Sequence, residues 1–520
     1  MVTAPHWLAA EAGCDVLKDG GNAVEAAVAV AATLAVVYPH MTGIGGDGFW
    51  LIAEPDGRVH GVHGCGAAAA KADLSLYAGL DAVPARGPLA ANTVAGTISG
   101  WAAALASADG NLPLDRLLRD AIAHARDGVR ITAGGAGIAS AKGGELRVQP
   151  GAYAATFEPE GRPLAQGDML RQPLLADTLE RLGREGLESF YTGALAIDIA
   201  ADLEALGSPV SAADLAAHVA TRPAPLHTLI AGVTLYNSAP PTQGVASLLI
   251  LALFDLHMTG ATGDAADGFI HVHGLVEATK QAFLWRDRHC GDAAWMEEDA
   301  QALLDDDMAL ARMAAAIDPA QALPWPQPSQ QGDTCWFAAA DSEGRMVSAI
   351  QSTYHEFGSG VVLPTTGITW QNRGSSFRLA PDGWNALKPG RKPFHTLNPA
   401  LARFDDGRVM AYGTMGGEGQ PQTQAALFTR YARYGLDLQE AISRPRWLLG
   451  RTWGEESTTL KLEDGFDEAL YADLASAGHD IERVGPLTAK MGHAGAIVRH
   501  PEGVLEGATD PRSDGQVAAW

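Results

Sequence analysis

A pair of apolar runs flanked by hydroxyl residues constrains this chain more than any other feature. Residues 332–360 read Gly-Asp-Thr-Cys-Trp-Phe-Ala-Ala-Ala-Asp-Ser-Glu-Gly-Arg-Met-Val-Ser-Ala-Ile-Gln-Ser-Thr-Tyr-His-Glu-Phe-Gly-Ser-Gly. Residues 336–340 are short, apolar and strand-like, and Asp341, Ser342, Glu343 and Gly344 supply turn chemistry. A second run, 346–350, completes a β-hairpin. Thr334 opens its first strand, and Ser352 and Thr353 close its second. The two ends of a hairpin lie side by side, so these hydroxyls are expected to become neighbours.

Composition narrows the function classes. The chain has 520 residues and a formal net charge of −24. That length would suit about three average domains. So acidic a protein is a poor partner for nucleic acid or an anionic membrane, and neither is expected. The four cysteines, Cys14, Cys65, Cys290 and Cys335, form no C-x-x-C pair, so neither a disulfide framework nor a zinc knuckle is expected. Reduced thiols and no visible signal peptide predict a cytoplasmic location, or a periplasmic one if a leader has been removed. The apolar stretch 26–38 is too short for a membrane span.

The rest of the chain alternates helices, strands and loops. Trp7–Lys18 is helical, and Asn22 caps a second helix, Ala23–Val37, rich enough in Ala and Val to be buried. The glycine loop 42–48 leads into a strand at 49–54. This order, helix then glycine loop then strand, is the reverse of a nucleotide-binding turn. Further helices are expected at 114–129, 171–191, 211–218, 245–256, 269–288 and 423–434, and strands at 366–370 and 409–412. Residues 292–332, rich in Ala, Asp, Gln and Pro, read as a mobile connector. His271 and His273 stand two apart on a helix and point to different faces, so no metal and no cofactor is expected.

These blocks together resemble the γ-glutamyltranspeptidase family of N-terminal-nucleophile (Ntn) hydrolases. The resemblance rests on residues 21–27, 43–49, 92–101, 332–360, 371–377, 389–399, 413–421 and 510–514, and so covers almost the whole chain. It implies an α/β (α+β) fold, the four-layer αββα sandwich of Ntn hydrolases. It implies self-cleavage of the Asp333–Thr334 bond into a large segment, 1–333, and a small one, 334–520, together one interleaved domain. The freed Thr334 would be both nucleophile and base, since an α-amino group titrates near pH ~8 and can activate an adjacent hydroxyl. Ser352 matches the residue that orients the nucleophile, and Gly416 and Gly417 match the oxyanion hole. Cys335 is a rival nucleophile by residue type alone, but side chains alternate along a strand, so it should face away from Thr334.

The departures concern substrate binding. The family's carboxylate-binding arginine corresponds to Cys65, and its amine-binding aspartate to Ser376. Its glutamine before that aspartate reads Arg373, its asparagine after the hairpin reads Tyr354, and its paired serines read His395 and Thr396. A neutral thiol cannot replace a bidentate guanidinium. The changed set, Arg373, Ser376, His395, Thr396 and Tyr354, resembles the branch of small-acid amidohydrolases exemplified by oxamate hydrolysis. The partners implied are a small-molecule amide and the two cleaved segments themselves, with a homodimer of processed heterodimers as an assembly. Three alternatives remain open at this point: a γ-glutamyl hydrolase or transpeptidase of glutathione type, a glutaryl-type acylase, and an uncleaved binding relative.

Overall fold

The computed structural model describes residues 1–258, 265–325, 333–450 and 457–520. Among these residues, two six-stranded sheets carry the architecture. In spatial order the first contains Gln516–Ala518, Val2–Ala4, Asp333–Ala340, Met346–Tyr354, Asp47–Ala53 and Val59–Gly64. The second contains Leu505–Thr509, Ala494–Arg499, Val409–Thr414, Ala400–Phe404, Val233–Asn237 and Leu226–Ile230. Neighbouring strands are antiparallel throughout both.

Period-two alternation explains how the sheets stack. Along 333–340, Trp336, Ala338 and Ala340 pack with Leu401, Ala411 and Ile497 of the second sheet. The intervening Cys335, Phe337 and Ala339 join the core beneath the helix Ala23–Val37. A strand buried on both faces needs apolar residues at every position, as this one has. Helix Ala23–Val37 is buried along its whole length, and the Asn22–Glu25 capping box satisfies its first donors. On the far side, helices Gly244–His257, Phe269–His289 and Gly419–Ala432 cover the second sheet. The order helix, sheet, sheet, helix is the expected four-layer sandwich, and each sheet joins strands from both sides of position 333.

Several local expectations are corrected. Residues 366–370 form no strand; Thr369 and Trp370 make only isolated bridges to Val362 and Gly45. Here the apolar run packs as irregular backbone around Gly358 rather than in a ladder. The stretch 171–191 divides into Pro173–Glu185 and Ser189–Thr192, because Gly186 takes φ 87° after the first helix. The supposed connector holds helices Ala300–Leu304 and Asp307–Ala314, each with an aspartate accepting from the first turn. Its residues 326–332 lie outside the described set. The helix expected at 423–434 begins at Gly419 rather than Thr423, with Pro421 tolerated in its first turn.

The motif at 510–514 ties down the end of the chain. Asp510 pairs with Arg446 at 2.6 Å and Arg512 at 3.1 Å, accepts from Ala494 N at 2.6 Å, and Arg512 also pairs with Glu463. Burial alone would raise the Asp510 pKa, but the two guanidinium groups and the backbone donor hold it below the ordinary carboxylate value. Its contribution to stability is therefore present above that ordinary value and lost as pH falls through the depressed one. Asp510→Ala should cost about 3–5 kcal/mol by leaving the buried Arg446 without its carboxylate, while Arg512 keeps Glu463, read as a lowered urea midpoint at neutral pH. The gap between variant and wild type should close in acid.

Candidate active site

The hairpin register puts Thr334 where its chemistry can be served. Asp333 pairs with Tyr354 and Cys335 with Gln351, so one extra residue is accommodated opposite Thr334. Such a bulge re-aims side chains at the end of a ladder, and it leaves Ser352 and Thr353 beside Thr334. By alternation from Trp336, Thr334 lies on the inner face, between the sheets, and it is fully buried. Cys335 lies in the core on the opposite face, which removes it as a rival nucleophile. The Thr334 hydroxyl accepts from Gln420 Nε2 at 3.3 Å, and Gln420 Oε1 in turn accepts from Asn398 N at 3.2 Å. The Ser352 hydroxyl accepts from Tyr354 N at 2.7 Å.

Gly416 and Gly417 form the turn between strand Val409–Thr414 and helix Gly419–Ala432, with φ of 117° and 52°. Two successive positive values favour glycine. The turn is braced from behind. Gln243 Nε2 donates to Gly417 O at 2.8 Å and to Thr396 O at 2.6 Å. The buried Arg286 donates to Gln243 Oε1 at 2.9 Å and to Glu418 Oε1 at 3.1 Å.

Beside this turn lies a cluster of buried polar groups. Arg373 stands in the 3₁₀ turn Arg373–Ser376, with its guanidinium 3.9 Å over the Tyr354 ring. Tyr354 itself holds φ 84°, a strained value for a bulky residue. Among the described residues, Nε, Nη1 and Nη2 of Arg373 have no hydrogen-bond partner; neither do both ring nitrogens of His395, Thr396 Oγ1 and Asp47 Oδ2. Burial pulls the Arg373 pKa down to about 10, against the pull of Tyr354, Asp47 and Cys65. Burial, with Arg373, His63 and Lys392 nearby, holds the His395 imidazole far below its usual pKa. Its 3.5 Å contact with Asp47 is therefore not an ion pair at neutral pH. Cys65 belongs to this cluster as a neutral thiol, pushed up to about 12 by burial. The cation has thus moved from one wall, where the family pattern expects it, to another.

Of the residues singled out from sequence, Thr334, Ser352, Gly416, Gly417, Arg373, Tyr354, His395 and Thr396 converge here. Ser376 is in the same loop, but its hydroxyl donates to Phe394 O at 3.3 Å and supports the backbone that carries His395. The Asp333 backbone is in strand, one residue before Thr334. His271 and His273 diverge as their spacing predicts. His271 meets Thr429 Oγ1 at 2.8 Å, and His273 meets His479 Nε2 at 2.9 Å. His273, Glu277 and His479 come close enough to suggest a metal site, but Lys280 Nζ already sits 2.6 Å from Glu277 Oε1. Sequence reading passed over Gln243, Arg286, Gln420 and Asp47. For Asp47 a signal existed: an acidic residue inside the glycine loop 43–48, where Gly46 is so close to Ser352 O that a Cβ would stand 2.1 Å from it.

Two antiparallel sheets stacked between helices, with a buried threonine on the facing side of one, define the Ntn-hydrolase class. The Gamma-glutamyltranspeptidase family model matches residues 9–520. An oxamate amidohydrolase proenzyme of Klebsiella pneumoniae is 53% identical, covering 100% of this chain and 98% of its own. A glutathione hydrolase-like YwrD proenzyme of Bacillus subtilis is 40% identical over 99% of this chain and 97% of its own. A crystal structure of cephalosporin acylase from Bacillus halodurans superposes with a TM-score of 0.91 at 34% identity, covering 100% of this chain and 95% of that one. The chain belongs to the γ-glutamyltranspeptidase family, and it is an enzyme.

The bracing network has a checkable consequence. Arg286→Met should leave Gln243 and Glu418 buried without their cation, at a cost of about 3 kcal/mol or more in stability. Gln420→Leu removes two neutral hydrogen bonds, to Thr334 Oγ1 and from Asn398 N, and leaves that buried N–H unpaired. It should cost about 1–3 kcal/mol, a smaller fall in the urea midpoint than Arg286→Met gives.

Proposed function

We propose that this chain is a precursor that cuts itself before Thr334 and then hydrolyses a small amide bearing one carboxylate, of the oxamate kind. The observation that carries the substrate reading is Arg373. Burying a guanidinium whose nitrogens have no hydrogen-bond acceptor carries a large desolvation penalty, of which a stacked tyrosine ring offsets about 2 kcal/mol. A substrate carboxylate would supply two parallel, charge-assisted hydrogen bonds. Thr396 Oγ1 and His395 Nε2 or Nδ1 stand ready for the remaining polar atoms of a small ligand.

The chemistry follows from the parts. The Thr334 α-amine takes the proton from its own Oγ1, and the oxygen attacks the amide carbon. Negative charge on the carbonyl oxygen is met by N–H groups at Gly416–Gly417, a contribution worth about 2.7–4 kcal/mol per donor in comparable sites. The C–N bond then breaks as the ammonium proton passes to the leaving nitrogen, giving an acyl-enzyme ester. Water, activated by the same amine, releases the acid and restores Thr334. Support for an oxamate-type substrate comes from the relative of that name at 53% identity and from the loss of the family's arginine at Cys65.

Wild-type protein should yield a fragment beginning at Thr334, while Thr334→Ala remains one full-length band on a denaturing gel. Normal maturation of Thr334→Ala would remove the nucleophile assignment. Arg373→Gln should mature normally, because cleavage is intramolecular. It should raise the KM for oxamate by at least about 100-fold, the loss of a buried charge pair worth ~3 kcal/mol. If γ-glutamyl-p-nitroanilide is the better wild-type substrate, the ordinary transpeptidase reading replaces this one.

A further inference from the structure

Among the described residues, Asp47 is the one carboxylate that acts on Arg373, and its two oxygens are treated differently. Oδ1 accepts from Gly96 N at 2.9 Å, Gln371 Nε2 at 3.2 Å and Gly66 N at 3.3 Å. Those three donors come from three separate loops, so the carboxyl group cannot rotate away. Oδ2 has no hydrogen-bond partner among the described residues and stands 3.5 Å from His395 Nε2. Asp47 also lies directly across the ladder from Ser352. The charged and titratable groups facing it are Arg373, His395, Cys65 and Tyr191. His395 and Cys65 are neutral near pH 7, and burial raises the tyrosine, so Arg373 is the only charge in the set.

We infer that Asp47 is a specificity-determining residue that couples binding of a one-carboxylate substrate at Arg373 to uptake of a single proton. The inference rests on the reading of Arg373 given above. In the free site, an ionised Asp47 balances the Arg373 charge. A substrate carboxylate arriving at Arg373 brings a second negative charge into the same dry space, and two carboxylates that close cannot both remain ionised. Asp47 takes a proton from solvent. Its Oδ2–H then becomes a donor to His395 or to the substrate, and the charge of the filled site stays the same as that of the empty one. A second carboxylate would call on Lys392, which acts on His395 and Cys65, so a one-carboxylate substrate is what a single proton at Asp47 matches.

Burial already raises the Asp47 pKa to about 7, against Arg373 and its three hydrogen-bond donors. The sign follows. Below about pH 7 the proton is in place before substrate arrives, and binding needs no uptake. Above it, the free site must be protonated on binding, so KM should rise on the order of tenfold per pH unit.

The test uses the processed enzyme and pyruvate, which replaces the amide nitrogen of oxamate by a methyl group and cannot be hydrolysed. Calorimetric titration in buffers of different ionisation enthalpy should show uptake of close to one proton at about pH 8 and almost none at about pH 6. Infrared difference spectra at the higher pH should gain a protonated-carboxyl band when pyruvate binds. Asp47→Asn keeps the Oδ1 acceptor and should abolish both the uptake and the alkaline rise in KM for oxamate. The Thr334 amine also titrates in this range, but any proton it takes up would persist in Asp47→Asn. No uptake in the wild type at about pH 8, or the same uptake in Asp47→Asn, overturns the inference. If Asp47→Asn fails to mature, the wild-type infrared band decides alone. The Arg373→Gln arm separates the two readings. Unchanged pyruvate binding there defeats the pocket itself, whereas lost binding without wild-type proton uptake defeats only the role of Asp47.

Discussion

One guanidinium fixes the geometry on which the site depends. Arg286 sits on the long helix Phe269–His289, in the outer layer, yet its nitrogens reach Gln243 and Glu418. Gln243 bonds at once to the glycine turn and to the segment carrying His395 and Thr396. The turn's positive φ values come from glycine, but its position comes from this brace. A charged group buried at a helix end is costly, and it persists here because each donor has a partner: Asp287, Gln243 and Glu418. The glycine turn and the segment carrying His395 and Thr396 therefore move together or not at all, which is how a site keeps sub-ångström alignment.

Much of this was legible in the residues. The hairpin 333–354 declared itself through two apolar runs and a turn, and Asn22 announced a helix that proved to be wholly buried. The convergence of Thr334, Gly416, Arg373 and His395 followed from a family resemblance, since nothing in local pattern links positions so far apart. What stayed hidden has physical reasons. Residues 366–370 look like a strand because they are apolar and β-branched, but such residues also fill irregular core segments. The helices between 300 and 314 were masked by aspartates and alanines that suggested a solvated linker. Arg286 and Gln420 were unreadable because their roles depend on what lies across the sandwich, which sequence spacing does not encode.

Overall charge and site charge point in opposite directions. The chain carries −24 formally, yet the cluster behind Thr334 presents a cation that no described carboxylate contacts by hydrogen bond. Surface charges act over about a Debye length, ~8 Å in physiological salt, so the acidic exterior repels an anionic ligand only during approach. For an anion of the proposed kind, the low-dielectric surroundings of the site would strengthen its attraction to Arg373. Recognition and encounter are thus governed by different parts of the molecule, and salt would alter the second more than the first.

The interleaving of strands changes what a cut before Thr334 would mean. In the first sheet the strand Asp333–Ala340 lies between Val2–Ala4 and Met346–Tyr354, and Asp47–Ala53 follows. The second sheet likewise places Val233–Asn237 against Ala400–Phe404. The two pieces would therefore share hydrogen-bond ladders on both sides of the core, with no plane along which they could part. They would not be subunits in the ordinary sense, held by an affinity and able to exchange between molecules. A mixed population of two differently marked enzymes would keep its original pairings for as long as it stayed folded, because parting the pieces and unfolding them are the same event.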